Sequence, residues 1–260
     1  MKSIALLICP VAAATALAMP TLTFAACEAK SGPATAALVE LYTSEGCSSC
    51  PPADRRLSQL RQSLGAKAEA VPLSLHVGYW DYIGWHDPFA QQAFEQRQRR
   101  LVALNHRQTV YTPHFFVGGT EIGLQRSALG DEVWRLNARP ADAAIHVAAG
   151  PTGSGALAVD ADATTIGRGT QASLYLAVTE SGLVSKVARG ENGGATLKHD
   201  HVVRAWVGPI PLSKGAVRAQ REIALDPTWN RAQLDLVAFV EDDRTGAVLQ
   251  AVNAGRHCPD

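Results

Sequence analysis

Two cysteines separated by two residues, Cys47 and Cys50, are the residues of this sequence best suited to chemistry. They follow an apolar run at residues 36–43 and precede a helical pattern at residues 54–64. Two thiols at this spacing, between a strand and a helix, are typical of a redox-active dithiol. The alternatives are a structural disulfide or half of a zinc site, although closed zinc sites usually take four ligands. We therefore predict a redox-competent dithiol.

The segment after the thiols predicts an amphipathic helix, because leucines recur at helical spacing within residues 54–64 and Gly65 can end the helix. A helix N-terminus favours anions and can lower a cysteine pKa from about 8.5 towards ~3.5–7.5. The Pro51-Pro52 pair disfavours helical angles at the first proline. We expect the regular helix to begin only at Pro52 or Ala53.

Residues 110–122 predict a turn into a strand, a Gly-Gly hairpin turn and a partner strand. Pro113 stands directly before the first of these strands. The cis form of a peptide bond to proline lies only about 0.5–1 kcal/mol above the trans form, so a cis bond is feasible here. The alternative is an ordinary trans proline that opens the strand.

Large aromatic residues are concentrated at residues 79–89, after a second strand pattern at residues 71–77. Core packing is the more common explanation for such a cluster, and a ligand-binding surface is the alternative. We name Trp80, Thr112 and His114 as candidate substrate contacts.

The first 25 residues have the layout of a secretory signal peptide, with a lysine, an apolar middle and small residues near a cleavage point. We expect cleavage after Ala25 and a secreted or periplasmic mature chain. No later segment is long and apolar enough to predict a membrane-spanning helix.

The mature chain would keep Cys27, Cys47, Cys50 and Cys258, and an even count in an exported protein favours pairing. Cys47 and Cys50 form a local pair, which leaves Cys27 and Cys258 to link the two termini. The alternative is a lipoprotein cleavage box at residues 24–27, in which Cys27 carries lipid. Its phenylalanine is a poor fit, and lipidation would leave Cys258 without a partner.

The charge balance argues against a nucleic-acid partner, because 24 basic and 24 acidic side chains give a formal net charge of zero. We also expect no cofactor. His199 and His201 alternate in a predicted extended segment and could hold a metal there, although a solvated loop is the more common interpretation.

The helix and strand patterns change near residue 140. Residues 26–140 predict an α/β domain, a central mixed sheet flanked by helices, in which Asp87 and Pro88 are the N-cap and first residue of a helix. Residues 141–260 contain short alternating segments separated by glycine-rich turns, which predict an all-β sandwich-like domain.

Several stretches resemble one known family, and they are residues 40–54, 76–85, 111–113, 189–194 and 202–204. On these motifs the chain resembles the bacterial secreted family catalogued as domain of unknown function 1223, over nearly the whole mature chain. That family is assigned to the thioredoxin-like superfamily. The resemblance therefore implies a thioredoxin-like fold for the first domain, a dithiol at Cys47 and Cys50, and a cis-proline at Pro113.

In a thioredoxin-like fold a buried acid near this place can move protons for the second cysteine, which makes Glu40 a candidate for that role. The alternative is that Glu40 is an edge or solvent-facing residue of its strand. The chain departs from thioredoxin because Ser48-Ser49 replaces Gly-Pro and Glu40 lies one residue further from the first cysteine. His114 is not part of the common pattern, and it is a candidate for tuning the thiols or for binding copper with them.

We predict thiol-disulfide exchange with protein or small-molecule thiols and disulfides as partners. Cys47 would attack a partner disulfide, Cys50 would resolve the mixed disulfide, and Pro113 would shape the substrate groove. One alternative is a copper-handling protein that uses Cys47, Cys50 and His114 as ligands for a soft ion. The other is a binding module in which the disulfide only holds a loop.

Overall fold

The computed structural model describes residues 27–65, 67–123, 126–167 and 171–255, and the predicted signal peptide and Cys258 lie outside this part of the chain. The described residues form fourteen strands and four α-helices. The strands are β1 (Cys27–Lys30), β2 (Ala37–Thr43), β3 (Ala70–His76), β4 (His114–Val117), β5 (Thr120–Ile122), β6 (Ala143–Pro151), β7 (Ala156–Thr165), β8 (Ala172–Glu180), β9 (Leu183–Lys186), β10 (Thr196–His199), β11 (Val202–Pro211), β12 (Ala216–Ala224), β13 (Leu234–Asp242) and β14 (Val248–Asn253). The helices are α1 (Cys50–Ser58), α2 (Leu60–Leu64), α3 (Gln92–Leu104) and α4 (Arg126–Asn137).

Eight strands form one sheet in the order β14-β13-β8-β11-β3-β2-β4-β5. Strand β3 pairs in parallel with β2 on one side and with β11 on the other. The other pairs in this sheet are antiparallel. A second sheet has the order β1-β6-β7-β12, and β9 pairs with β10 as a separate hairpin.

The two faces of the eight-stranded sheet are covered by different elements. One face packs on α3, with side chains such as Leu73, Phe116 and Phe239 in the same apolar cluster as Phe94. The opposite face packs on α1, α2 and α4 at the β2–β4 end of the sheet. At the β8–β13 end it packs on the four-stranded sheet, which gives a sandwich. The thiols lie on the α1 side.

The predicted fold class, an α/β thioredoxin-like domain followed by an all-β sandwich-like domain, was wrong. The described chain is mostly β, and strands from both sides of residue 140 form the single large sheet. Strands β8 and β13 are buried along both faces because they continue this sheet past β3 and β11. The alternating pattern identified strands after residue 141 but did not indicate which sheet they join. The division at residue 140 stays a prediction.

Two helix starts differ from the prediction. Helix α1 begins at Cys50, with Pro51 and Pro52 in its first turn, so the second cysteine itself is helical. Helix α3 begins at Gln92 rather than after an N-cap at Asp87. Asp87 instead accepts hydrogen bonds from the backbone N–H of Glu45 and from the His76 ring.

The predicted hairpin between β4 and β5 is confirmed. Gly118 and Gly119 both have positive φ angles, 58° and 84°. A Cβ atom at Gly119 would lie 1.9 Å from the carbonyl oxygen of Gly246, so this turn also requires glycine for close packing. No helix in the described residues is long and apolar enough to cross a membrane.

Candidate functional site

The two thiols lie between the end of β2 and the start of α1. The backbone N–H of Cys47 donates to the carbonyl of Ser44, and the N–H of Cys50 donates to the carbonyl of Cys47, both at 3.1 Å. These bonds hold the segment as consecutive turns, and Ser49 is the N-cap residue of the helix. Both cysteines are free thiols, so the predicted Cys47–Cys50 disulfide is open and the structure is that of the reduced dithiol.

The two thiols have very different pKa values. A hydrogen bond with Cys50 is the largest influence on Cys47, burial opposes it, and contacts with Ser49 and Thr112 add to it, so the pKa of Cys47 falls to about 6. Burial raises the pKa of Cys50 far above its usual range, and the neighbouring Cys47 sulfur raises it further. Cys50 is therefore the proton-bearing partner, and it donates to the Cys47 thiolate.

Three residues that are distant from Cys47 in the sequence lie beside it in the structure, and they are Trp80, Thr112 and Pro113. The Thr112–Pro113 peptide bond is cis, as predicted. The Cys47 sulfur lies 3.7 Å from the Thr112 carbonyl oxygen, and the Trp80 indole N–H donates to the Thr112 hydroxyl at 2.7 Å. A side chain at Gly46 would place its Cβ 2.9 Å from the Cβ of Trp80, so glycine allows this close approach. The structure thus brings three predicted site residues to the first thiol.

A loop from the second half of the chain also holds the cysteine segment. The side-chain amide of Asn192 donates to the carbonyl of Glu45 at 2.8 Å and to that of Cys47 at 2.9 Å. The Glu191 carboxylate accepts the backbone N–H of Ser48 at 2.8 Å. The sequence analysis used this loop, residues 189–194, only as one of the stretches that resemble a known family. Its density of glycine, asparagine and charge was the signal for this contact, but the sequence did not indicate the partner.

Cys47 is covered but lies close to an open groove. Its exposed fraction is 1%, whereas Ser48 and Ser49 above it are exposed. A groove of about 640 Å³ begins at Ser49 and Pro113. Its walls include Arg55, Arg56, Gln59 and Phe115.

Glu40 does not lie with the thiols, which corrects its predicted role. Side chains alternate between faces along a strand, and Glu40 points to the α3 face of β2. Its carboxylate accepts two hydrogen bonds from Arg97, at 2.6 and 3.0 Å, and one from the Tyr42 hydroxyl at 3.1 Å. The structure therefore assigns Glu40 to a buried ion pair.

His114 also points to the α3 face, because it has the same strand parity as Phe116 rather than Phe115. Its ring stacks on Tyr111 with centroids 4.0 Å apart. Its nitrogens lie 3.3 Å from Gln98 and 3.3 Å from Glu121. The predicted contact between this ring and the thiols is wrong, and with it the copper site built from all three side chains.

The predicted histidine pair does not alternate in an extended chain. His199 ends β10, but His201 has a φ of 58° and leaves the strand geometry. In the described residues, no group of three or more His, Cys, Asp or Glu side chains could hold a metal ion. His199 is instead buried beside helix α1, where its ring contacts Glu45.

Sequence reasoning missed a buried group of acids and histidines next to α1. Its members are Glu45, Asp54, His76, Asp87 and His199. His199 Nε2 lies 3.0 Å from Glu45 Oε1, His199 Nδ1 lies 4.0 Å from Asp54 Oδ2, and His76 Nδ1 lies 2.7 Å from Asp87 Oδ2. Asp54 was assigned only to a helical pattern, and the others are far apart in the sequence.

Cys27 is disulfide-bonded, as predicted, and its predicted partner Cys258 lies outside the described residues.

Two solved structures share this fold at low sequence identity. Protein AGR_C_4864 from Agrobacterium tumefaciens is 22% identical, with a TM-score of 0.62, and the match covers 85% of this chain and 94% of that chain. HBP35 of Porphyromonas gingivalis is 16% identical, with a TM-score of 0.65, and the match covers 86% of this chain and 76% of that chain. No functionally curated protein matches the chain. The family described as "Protein of unknown function (DUF1223)" matches residues 38–241, and the chain belongs to that family.

Proposed function

We propose that this protein is a thiol-disulfide oxidoreductase that acts through Cys47 and Cys50 on disulfides or thiols of protein or small-molecule partners. The observation that carries the proposal is the position of the two free thiols at the start of α1, beside Thr112 and next to an open groove. The pKa values of the two thiols move in opposite directions, which supports it. With a pKa of about 6, Cys47 would be present at pH 7 as about ten thiolates for each thiol. Burial keeps Cys50 protonated until the step in which it attacks the mixed disulfide.

The reaction has two steps that balance without a cofactor. The Cys47 thiolate attacks one sulfur of a partner disulfide, which forms a mixed disulfide and releases the other partner sulfur as a thiolate. Cys50 then loses its proton and attacks Cys47, which forms the Cys47–Cys50 disulfide and releases the second partner thiolate. The partner disulfide is reduced by two electrons, and the two cysteines are oxidised by two. The reverse sequence oxidises a partner dithiol.

Two further features support an exchange protein. The groove beside Ser49 and Pro113 offers space for an extended partner segment next to Cys47. The disulfide at Cys27 is typical of proteins in an oxidising compartment, which supports the exported setting that exchange with secreted partners requires.

Trapping tests the proposal. Cys50→Ser, produced in the exporting cell, should accumulate mixed disulfides through Cys47 that shift to free protein on reduction. These adducts are detected by gel mobility without reductant and identified by mass spectrometry. Cys47→Ser/Cys50→Ser is the matched control and should form none. If the single variant forms no more adducts than the double variant, the proposal fails.

A further inference from the structure

Resolution of the mixed disulfide needs a group that accepts the Cys50 proton. Cys50 has no exposed surface, so solvent does not reach this proton directly. The group predicted for this role, Glu40, lies on the other face of the sheet and is paired with Arg97. On the α1 face, Asp54 lies one helical turn after Cys50, which places both side chains on the same side of the helix.

Asp54 lies in a buried polar group that is not fully hydrogen-bonded. Four buried atoms of this group have no partner with hydrogen-bond geometry among the described residues, and they are Thr43 Oγ1, Asp54 Oδ1, His76 Nε2 and His199 Nδ1. Buried polar atoms are normally paired, so an accumulation of exceptions at one place needs an explanation. Side-chain hydrogen bonding by the Thr43 hydroxyl lowers the pKa of both Cys50 and Asp54, so this hydroxyl is within reach of both side chains.

The hydrogen bond between His199 and Glu45 explains why Asp54 and His199 can together take up one proton. His199 Nε2 faces Glu45 Oε1 at 3.0 Å, and Glu45 Oε2 already accepts the Trp85 indole N–H at 2.8 Å. With Nε2 donating to Glu45, a neutral ring leaves Nδ1 as an acceptor towards Asp54, 4.0 Å away. The ionised carboxylate and this nitrogen are then two acceptors that face each other. One added proton between them removes the conflict.

We propose that the Asp54–His199 pair accepts the proton that Cys50 loses when it resolves the mixed disulfide. This inference rests on the proposed exchange function. The proton passes from the Cys50 sulfur to the Thr43 hydroxyl, which gives its own proton to Asp54, and the Cys50 thiolate then attacks Cys47. No electrons are moved in the proton transfer. The proton later leaves to solvent.

Several groups act on Asp54. They are Thr43 at the end of β2, His76 at the end of β3, Asp87 before α3, and His199 at the end of β10. Cys50 lies one turn earlier on the same helix, and Glu45 faces His199 from the other ring nitrogen. Burial raises the pKa of Asp54, while His76 and His199 act in the opposite direction. A raised pKa makes the ionised carboxylate a stronger base.

A chromogenic aromatic disulfide tests the proposal with the full mature chain, because it separates the two steps. Attack by Cys47 releases the first coloured thiolate, and resolution by Cys50 releases the second. In Asp54→Asn the first phase should keep the wild-type rate, while the second should slow by about 100-fold near pH 6 and recover as pH rises. His199→Gln keeps a donor to Glu45 but takes up no proton, and its second phase should slow by about tenfold.

The controls separate this proposal from the exchange function. Asp162→Asn and His146→Gln, both on the four-stranded sheet, should leave both phases unchanged. A wild-type second phase in Asp54→Asn and His199→Gln, or equal slowing of both phases, overturns the proton-acceptor role while the exchange function stands. Release of no thiolate by the wild type defeats the exchange function itself. If Asp54→Asn does not fold, His199→Gln decides the question on the same criteria.

Discussion

Two buried clusters of charged side chains lie on opposite faces of the eight-stranded sheet, and they differ in how completely they are paired. On the α3 face, Arg97 binds Glu40 at 2.6 and 3.0 Å and Glu241 at 2.7 Å. On the α1 face, Asp54 and His199 stand 4.0 Å apart, and each has a buried atom without a partner. The proposed proton acceptor is therefore distinguished from the Arg97 cluster by incomplete pairing next to the thiols and not by burial of charge, which both clusters share.

The Arg97 cluster is a structural ion pair, because its guanidinium group is held both by aromatic rings and by two carboxylates. The guanidinium group lies over the rings of Tyr175, Trp206 and Phe239, with distances of 5.3, 5.2 and 5.1 Å to the ring centroids. Its two carboxylate partners come from β2 and β13, so one side chain of α3 connects strands from both halves of the chain. Because the Arg97 guanidinium and both carboxylates are paired, this cluster has no site for an additional proton.

Loss of Arg97 should give the largest effect. Arg97→Met leaves the buried Glu40 without its charged partner and Glu241 with Arg100 as its remaining partner, which should lower the free energy of unfolding by about 3–5 kcal/mol. Urea denaturation measures this change. Arg218→Met is the matched control, because Arg218 pairs with Asp160 on an exposed surface and its loss should have little effect. A small effect at Arg97 would contradict the structural assignment of this cluster.

The same chemical change, carboxylate to carboxamide, should have opposite effects in the two clusters. Glu40→Gln weakens a charged hydrogen-bond pair and should lower the free energy of unfolding by about 1.5–3 kcal/mol. Asp54→Asn removes a carboxylate whose pKa is raised by burial and should increase stability at neutral pH by about 0.5–2 kcal/mol. Parallel denaturation curves at several pH values measure both changes.

The pH dependence provides an internal check on Asp54. Below the pKa of an unfolded aspartate, about 3.9, the carboxyl is protonated in both states and burial has no penalty. As pH rises from there through the raised folded pKa, the wild type loses stability relative to Asp54→Asn. The advantage of the variant should therefore vanish in acid. An advantage that persists there, or a variant less stable at neutral pH, would contradict the assignment.

The sequence predicted the local parts of this site and not the parts assembled from distant segments. The spacing of Cys47 and Cys50, the hairpin glycines and the proline at position 113 depend on neighbours in the chain, and they predicted the dithiol segment and the β4–β5 turn. The errors at Glu40 and His114 have one physical cause. Nothing in the sequence indicated which strand face the thiols occupy, and each residue lies on the other face.

The fold class was wrong for a related reason. Periodicity identifies a strand but not its neighbours. Strand β11 pairs with β3, and β8 and β13 follow it in the same sheet, which is an order that no local pattern records. The same long-range pairing brings β10 and His199 to helix α1. A proton acceptor for Cys50 assembled from both halves of the chain was therefore outside the reach of motif analysis.

The smallest effect is expected for a substitution in the loop that contains Asn192. This substitution tests access to Cys47 separately from proton transfer at Cys50. Asn192→Ala removes two hydrogen bonds, to the carbonyls of Glu45 and Cys47, and should lower the free energy of unfolding by about 1 kcal/mol. Since these bonds hold the backbone on both sides of Gly46 in place, alkylation of Cys47 should become a few-fold faster, on the order expected from ~1 kcal/mol.

The matched control for Asn192 is Asn230→Ala, which removes a capping hydrogen bond far from the thiols. It should lower stability by a similar amount without changing the rate of Cys47 alkylation, measured by mass spectrometry of the labelled protein. In Asn192→Ala the second phase of the chromogenic assay should stay at the wild-type rate, because the Asp54–His199 pair is intact. Slower resolution in this variant would mean that the loop, and not the buried pair, controls the reactivity of Cys50.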